Sequence, residues 1–317
     1  MSANSQPFSH PFLLVNTGSG GGKTQQAIVE VARQTGLTWH ETAPGDDFDA
    51  VLAAAVTDGA DVLIGAGGDG TLSTVADTAM AHDLPMIAVP AGTRNHFALD
   101  LGLAVDDPVS VLRNALANRF ERRVDIGQVN GTTFLNNISI GVYAQAVDDP
   151  TYRSHKVRAL AAAAAHALST GGTSQSAHLT IAVPGTAVVD SPAGTTALLI
   201  SNNAYAPRFA PGARLRSRLD AGEVWVYVGG GLDNAETLMG NVASIVSAEV
   251  HRTLLRAAFG AAEVNVAADR ADVPIAIDGE FRPDVTAPFA IKSRAGALRL
   301  IVGDDPSATD IGVTLQW

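Results

Sequence analysis

A chain of 317 residues, 46% apolar and 17% charged, carries enough core material for two moderate domains and lacks the composition of a disordered protein. Its formal net charge of -11 argues against nucleic acid as a partner, because a phosphate backbone rewards positive surface; an anionic ligand must be met by local donors. The absence of cysteine excludes disulfides, thiolate nucleophiles and cysteine zinc sites, and fits a reducing compartment.

Met1 to Pro11 is polar, with neither a basic stretch nor an apolar core, and does not read as a signal peptide. The longest apolar run, Ala159 to Leu168, is mostly alanine, broken by His166, and too short to cross a bilayer. The expectation is a soluble, cytoplasmic protein that meets any lipid peripherally, from the membrane surface.

The first ~125 residues alternate short apolar runs with helical patterns, the sign of βαβ units and a parallel sheet. Phe12 to Val15 reads as a strand, Thr24 to Gln34 as a helix, Thr38 to Thr42 as a strand and Phe48 to Thr57 as a helix. Val62 to Ile64 is a buried strand running into Gly65 to Thr71. Behind it Leu72, Val75, Ala76, Ala79 and Met80 form a one-faced helical stripe. Met86 to Val89 is the next strand and ends at Pro90-Ala-Gly-Thr93.

After Arg123 the texture becomes strand-rich. Val124–Val129, Thr133–Ile140, His178–Val183, Ala197–Ser201, Glu223–Val228, Val264–Ala268 and Val273–Asp278 read as strands. Two helical patterns interrupt them, near Val157 to Leu168 and near Asn234 to Phe259. The predicted architecture is α/β. A doubly wound, Rossmann-like domain over residues 1–125 is followed by a β-sandwich over 126–302, with the site in the cleft between them. A tail from about 303 to 317 can return to the first domain.

Three glycine-rich loops follow strands in the first half. Asn16-Thr-Gly-Ser-Gly-Gly-Gly-Lys-Thr24 ends like a Walker A loop but has threonine at position 17 where that pattern needs glycine. It reads as a looser phosphate cradle of backbone amides at a helix start. Gly65, Gly67 and Gly70 form G-x-G-x-x-G, yet the next strand lacks the terminal acid that would hold a ribose, and Asp69 sits inside the loop. A carboxylate among phosphate-binding amides is explained by a bridging magnesium ion or, equally, by helix capping. The third loop, Pro90 to Ala98, offers Thr93, Arg94 and Asn95 as donors. Three such loops at the carboxyl ends of parallel strands make a binding edge.

Gly67-Gly68-Asp69-Gly70-Thr71, then Pro90-x-Gly92-Thr93-x-Asn95, resembles the catalytic domain shared by diacylglycerol kinases, sphingosine and ceramide kinases and bacterial lipid kinases. Val124-Asp-Ile-Gly127, Phe134-x-Asn136 with Ser139-x-Gly141, Ala210-Pro211 with Asp220-x-Gly222, and Ile277-Asp-Gly-Glu280 continue the likeness. The resemblance implies an ATP- and magnesium-dependent lipid kinase acting on a lipid hydroxyl such as that of diacylglycerol. Asn16, Thr17, Gly18, Ser19, Gly67, Gly68, Asp69, Gly70, Thr71, Gly92, Thr93 and Asn95 would then contact ATP. Asp69 and Asp220 would hold Mg2+, and Glu280 would be the base, supported by Asp125. Two departures stand out. The family often has Asp where this chain has His96, and its Asp-Asp-Gly element is here Asp220-Ala-Gly222.

Two rival readings stay open, an NAD kinase-like phosphotransferase and a non-catalytic ATP-binding regulator. A homodimer is left open too. Arg208, Arg214, Arg216 and Arg218 form a basic stretch in which alternation places three guanidinium groups on one face. It reads as a solvated strand edge, with contact to anionic lipid as the sharper alternative. Tyr152, Arg153 and Lys156 are candidate acceptor contacts, and no histidine has metal-ligand spacing.

Overall fold

The structure, a computed structural model, describes residues 8–141, 144, 179–186, 189–190, 197–205, 216, 218–229 and 255–303. Outside those residues lie the helical readings at 157–168 and 234–254, and the tail beyond 303. So do Tyr152, Arg153, Lys156, Arg208, Ala210, Pro211 and Arg214. The chain divides into two units: one takes residues up to 124, 212–220 and from 296 on, the other 125–211 and 221–295.

The first unit runs β1 (Pro11–Val15), α1 (Gly22–Thr35), β2 (Thr38–Glu41), α2 (Phe48–Thr57), β3 (Val62–Gly67), α3 (Asp69–Ala81), β4 (Met86–Pro90), α4 (His96–Asp100) and α5 (Pro108–Asn118). Its strands lie in the order β2-β1-β3-β4, all parallel. β3 and β4 are buried at every residue, as strands of a sheet covered on both faces are. α1 buries Ile28, Val29, Val31 and Ala32 and stops at Gly36, whose φ of 72° is the left-handed turn that ends a helix. Leu13, Ile64, Ile87, Ile28 and Leu112 share one core.

The described residues of the second unit lie mostly in strands. β5 (Phe120–Val129) enters it from the first unit. There follow β6 (Thr132–Phe134), β7 (Asn137–Gly141), β8 (Leu179–Ala182), β9 (Val189–Asp190), β10 (Ala197–Asn202) and β11 (Val224–Gly229). β12 (Leu255–Ala261), β13 (Glu263–Ala268), β14 (Ile275–Ile277), β15 (Glu280–Phe281) and β16 (Phe289–Val302) complete it. An antiparallel sheet runs β12-β11-β10-β7-β14-β15. A second antiparallel group pairs β16 with β13 and β13 with β8, while β5 pairs with β6. Alternate residues of both groups, among them Ile138, Ile140, Val226, Val264, Val266 and Phe289, meet in one hydrophobic core. The far end of β16 returns to the first unit, where Leu300 lies opposite Met86 in a parallel pairing. The molecule is therefore mixed α/β, with a sheet containing parallel strands and a separate antiparallel sheet.

Two expectations are corrected. Thr133 to Ile140 is two strands, because Asp278 accepts hydrogen bonds from the amides of Leu135, Asn136 and Asn137 at 2.8 to 3.0 Å and fixes a turn there. The helical reading to Phe259 fails over Leu255–Phe259, which is the start of β12. Its hydrogen bonds go to β11, a partner that a local period does not reveal. α5 and β16 were not read from the sequence, although Asp107-Pro108, an N-cap followed by an N1 proline, announces α5. Among the described residues no helix is long and apolar enough to cross a membrane.

One packing detail gives a stability test. Gly127 pairs across from Phe134, and a Cβ there would lie 2.1 Å from the fully buried ring. Gly127→Ala is expected to cost about 1–3 kcal/mol, the usual penalty of overpacking, read as a lower urea midpoint. An unchanged midpoint would mean the ring has room to move.

Candidate active site

Because β1, β3 and β4 are parallel, the loops that leave them open on one edge of the sheet. The loops touch backbone to backbone. Gly20 has a φ of 72°, and a Cβ on it would lie 2.1 Å from the Ala91 carbonyl oxygen. A Cβ on Gly92 would lie 2.3 Å from the Cα of Gly68, and one on Gly68 would come within 3.7 Å of the Ser19 hydroxyl. Side chains finish the construction. Asn16 Nδ2 donates to Thr71 Oγ1 at 2.8 Å, and its Oδ1 accepts from the Gly18 amide at 2.9 Å. Asn95 closes the third loop on itself, accepting from the Gly92 amide at 3.2 Å and donating to the Gly92 carbonyl at 2.9 Å. The Thr17 hydroxyl donates to the Thr42 carbonyl and ties the first loop to the end of β2. Thr93, Gly18 and Gly70 are exposed, and Gly67 is buried against Thr71.

The helices that follow these loops start differently from the rest. α2 and α5 are capped by Asp47 and Asp107, whose carboxylates accept from the amides of Ala50 and Ser110. α1 and α3 begin at Gly21 and Gly68 with no side-chain cap, and the first turn of α1 has no acidic residue. The Thr24 amide donates to the Gly21 carbonyl at 2.9 Å, and no side chain takes the other leading amides of either helix, the arrangement that suits a phosphate.

Asp69 opens α3 but does not cap it. The residue is buried, and its oxygens accept from the amides of His96 and Phe97 at 3.2 and 3.1 Å, so that it caps α4 instead. Burial pushes its carboxyl up to about 6, against those two hydrogen bonds and the nearby Arg216 charge, which pull it down. A carboxylate has about four acceptor positions, so two amides leave room for one cation contact. Magnesium in phosphotransferases is commonly held by one or two carboxylates plus the phosphates themselves, and a single buried aspartate beside a phosphate cradle fits that demand. Among the described residues no three acidic or histidine side chains gather to hold a metal by themselves.

The remaining expected residues stand as follows. Asp220 is exposed and accepts from Arg218 Nε at 2.9 Å. Asp125 is buried in the second unit, where its Oδ2 accepts from the Gly222 amide at 2.6 Å and its carbonyl from Asn202 Nδ2 at 2.8 Å. Glu280 is exposed on β15, directly after a two-residue hairpin whose residues Asp278 and Gly279 have φ of 48° and 80°. The Asp278 carboxylate anchors that hairpin to the amides of residues 135–137, which gives Glu280 a rigid base. The reading of the arginine stretch as a solvated edge is overturned at Arg216. That residue is 1% exposed and ion-paired with Asp100, a partner 116 positions away that no sequence pattern announces. Arg218 is exposed.

Residues 10–129 match the family model of the diacylglycerol kinase catalytic domain. The matched stretch is 120 of the chain's 317 residues. It holds all three loops and Asp125, while the motifs from Phe134 onward lie beyond the matched span. A "Probable lipid kinase YegS-like" protein of Pseudomonas aeruginosa is 33% identical over 129 residues, 39% of this chain and 41% of the relative. A diacylglycerol kinase of Bacillus subtilis is 39% identical over 97 residues, 30% of this chain and 31% of the relative. These matches thus span less than half of each relative's length. The crystal structure of a diacylglycerol kinase from Bacillus anthracis superposes with a TM-score of 0.69, covering 96% of this chain and 100% of that one. At 18% identity this establishes the fold alone.

Proposed function

We propose that the protein is an ATP- and magnesium-dependent kinase that transfers the γ-phosphoryl group to a hydroxyl of a lipid such as diacylglycerol, which it meets peripherally at a membrane surface. The observation that carries this reading is the backbone-to-backbone convergence of three glycine-rich loops around uncapped helix starts and a buried Asp69, all within the stretch that matches the kinase family. We read the first unit as a doubly wound nucleotide-binding domain and the second as a β-sandwich.

In this mechanism the loops 16–22 and 68–71, with Thr93, hold the phosphates; because the amides of Asn16, Thr17 and Gly18 already donate to Ala66, Thr42 and Asn16, the amide contacts of the first loop fall to residues 19–22. Asp69 would hold magnesium, with Asp220 as a second carboxylate that would have to release Arg218 to take part. Held there, magnesium would supply charge neutralisation to the transferring phosphates. Glu280 accepts the proton of the acceptor hydroxyl as the new oxygen–phosphorus bond forms and the bond to the bridging oxygen of ADP breaks. Asp125 holds the Gly222 amide and so shapes the turn that follows Asp220.

Radiolabelled ATP presented with lipid extracts, diacylglycerol, ceramide, sphingosine and NAD tests the reading. Label entering a lipid with magnesium and not with EDTA supports it; label entering NAD alone, or no acceptor at all, sinks it. Glu280→Gln keeps shape but takes no proton. We expect turnover to fall by about 10²-fold or more, with ATP affinity unchanged, and normal turnover would remove Glu280 from the mechanism.

A further inference from the structure

The largest fully buried side chain among the described residues is an arginine. Arg216 Nε donates to Oδ2 of Asp100 at 2.6 Å, and the Arg216 amide donates to Oδ1 at 3.0 Å, so one carboxylate grips both the side chain and the main chain of a single residue. Arg216 is 1% exposed and Asp100 2%. Both belong to the first unit, yet Arg216 sits in the short stretch 212–220 that lies in sequence between two long segments of the second. Three residues on, Leu219 is fully buried, and Asp220 follows it.

Asp100 is the last residue of α4, and α4 begins at His96, whose amide, with that of Phe97, donates to Asp69. The short helix, about 7 Å long at 1.5 Å per residue, is therefore fastened at both ends. One end is held by the carboxylate at the phosphate loops, the other by the segment that carries Asp220. Apolar side chains of the same volume commonly replace a buried ion pair without loss of stability, so stability alone does not account for one; fixing the register of one element on another is the best-attested use of such a pair.

We infer that Asp100–Arg216 is a latch that registers Arg216 and residues 218–220 on the nucleotide-binding unit. Arg216 is then a positioning residue: through α4 it sets Asp69, and along the chain it sets Asp220. The positioning role rests on the kinase reading above; the latch itself does not.

The test is the charge-free double variant Asp100→Leu/Arg216→Met, compared with wild type by hydrogen exchange and by steady-state kinetics. Expected are amide exchange across residues 216–220 faster by at least tenfold, kcat lower by at least tenfold, and KM for ATP unchanged. A merely stabilising pair would lower the melting temperature and leave the kcat of the folded protein alone. Unchanged exchange overturns the latch, and faster exchange with wild-type kcat overturns the positioning role. Should the double variant not fold, Arg216→Lys keeps the charge and loses the fork. A threefold or greater change in both readouts supports the proposal, and wild-type values overturn it. If the wild-type protein transfers no phosphoryl group, the kinase reading fails, and exchange alone decides the latch.

Discussion

Asp69→Asn is expected to lower phosphoryl transfer by at least about 10²-fold, the usual effect of removing one preorganised charge contact from a transition state, while the protein stays folded. The same substitution should alter how stability depends on pH, in a direction opposite to that of an ordinary ion-paired carboxylate. The carboxyl titrates at 3.8 when unperturbed and at about 6 in the folded chain, where burial outweighs its two amide hydrogen bonds. A group raised in this way adds nothing unfavourable below pH 4. Its destabilisation grows as pH rises through the window between the two values and is complete above pH 6. About two units correspond to about 3 kcal/mol. Asparagine keeps one acceptor for the amides of His96 and Phe97 and loses the other, a constant cost of about 1 kcal/mol at every pH. Relative to wild type the variant should therefore gain about 3 kcal/mol between pH 4 and pH 7, whatever its offset. Urea denaturation across that range checks this. A flat difference would mean that Asp69 is not buried as a charge, and wild-type turnover would reduce it to the cap of α4.

Gly92→Ala is expected to lower both ATP affinity, by at least about tenfold, and turnover, by about 10²-fold. Its Cβ would lie 2.3 Å from the Cα and 2.5 Å from the amide nitrogen of Gly68. Both are backbone atoms, so no side-chain rotation relieves the collision, and one loop must retreat from the other. A misplacement of about 1 Å at a phosphoryl-transfer site commonly costs about two orders of magnitude in rate. Calorimetric titration of ATP, with circular dichroism to confirm the fold, separates this from unfolding. ATP bound as tightly as by wild type would show that the contact between the second and third loops does not shape the phosphate site.

The units of local structure were legible in the sequence because each is decided by neighbours along the chain. The buried runs ending at Val15, Ile64 and Val89, the helical stripe from Leu72 to Met80 and the glycines between them place three loops after three strands, although β3 itself runs on to Gly67. The dipeptide Asp278-Gly279 likewise announces the hairpin before Glu280. Segments whose hydrogen-bond partners lie far away were misread. Leu255–Phe259 has a helical period but joins β11, and Thr133–Ile140 alternates like one strand but is broken by a carboxylate some 140 positions away.

The site divides in the same way. That Asn16, Asp69, Gly92 and Asn95 stand in phosphate-type loops follows from residue chemistry and spacing, because an exposed amide at a helix start is a local property. That Asp69 turns from its own helix to cap α4, and that Arg216 leaves an apparently solvated basic stretch to pair with Asp100, was decided only by tertiary structure. A charge enters a protein interior only when its partner arrives with it, and here that partner comes from 116 residues away.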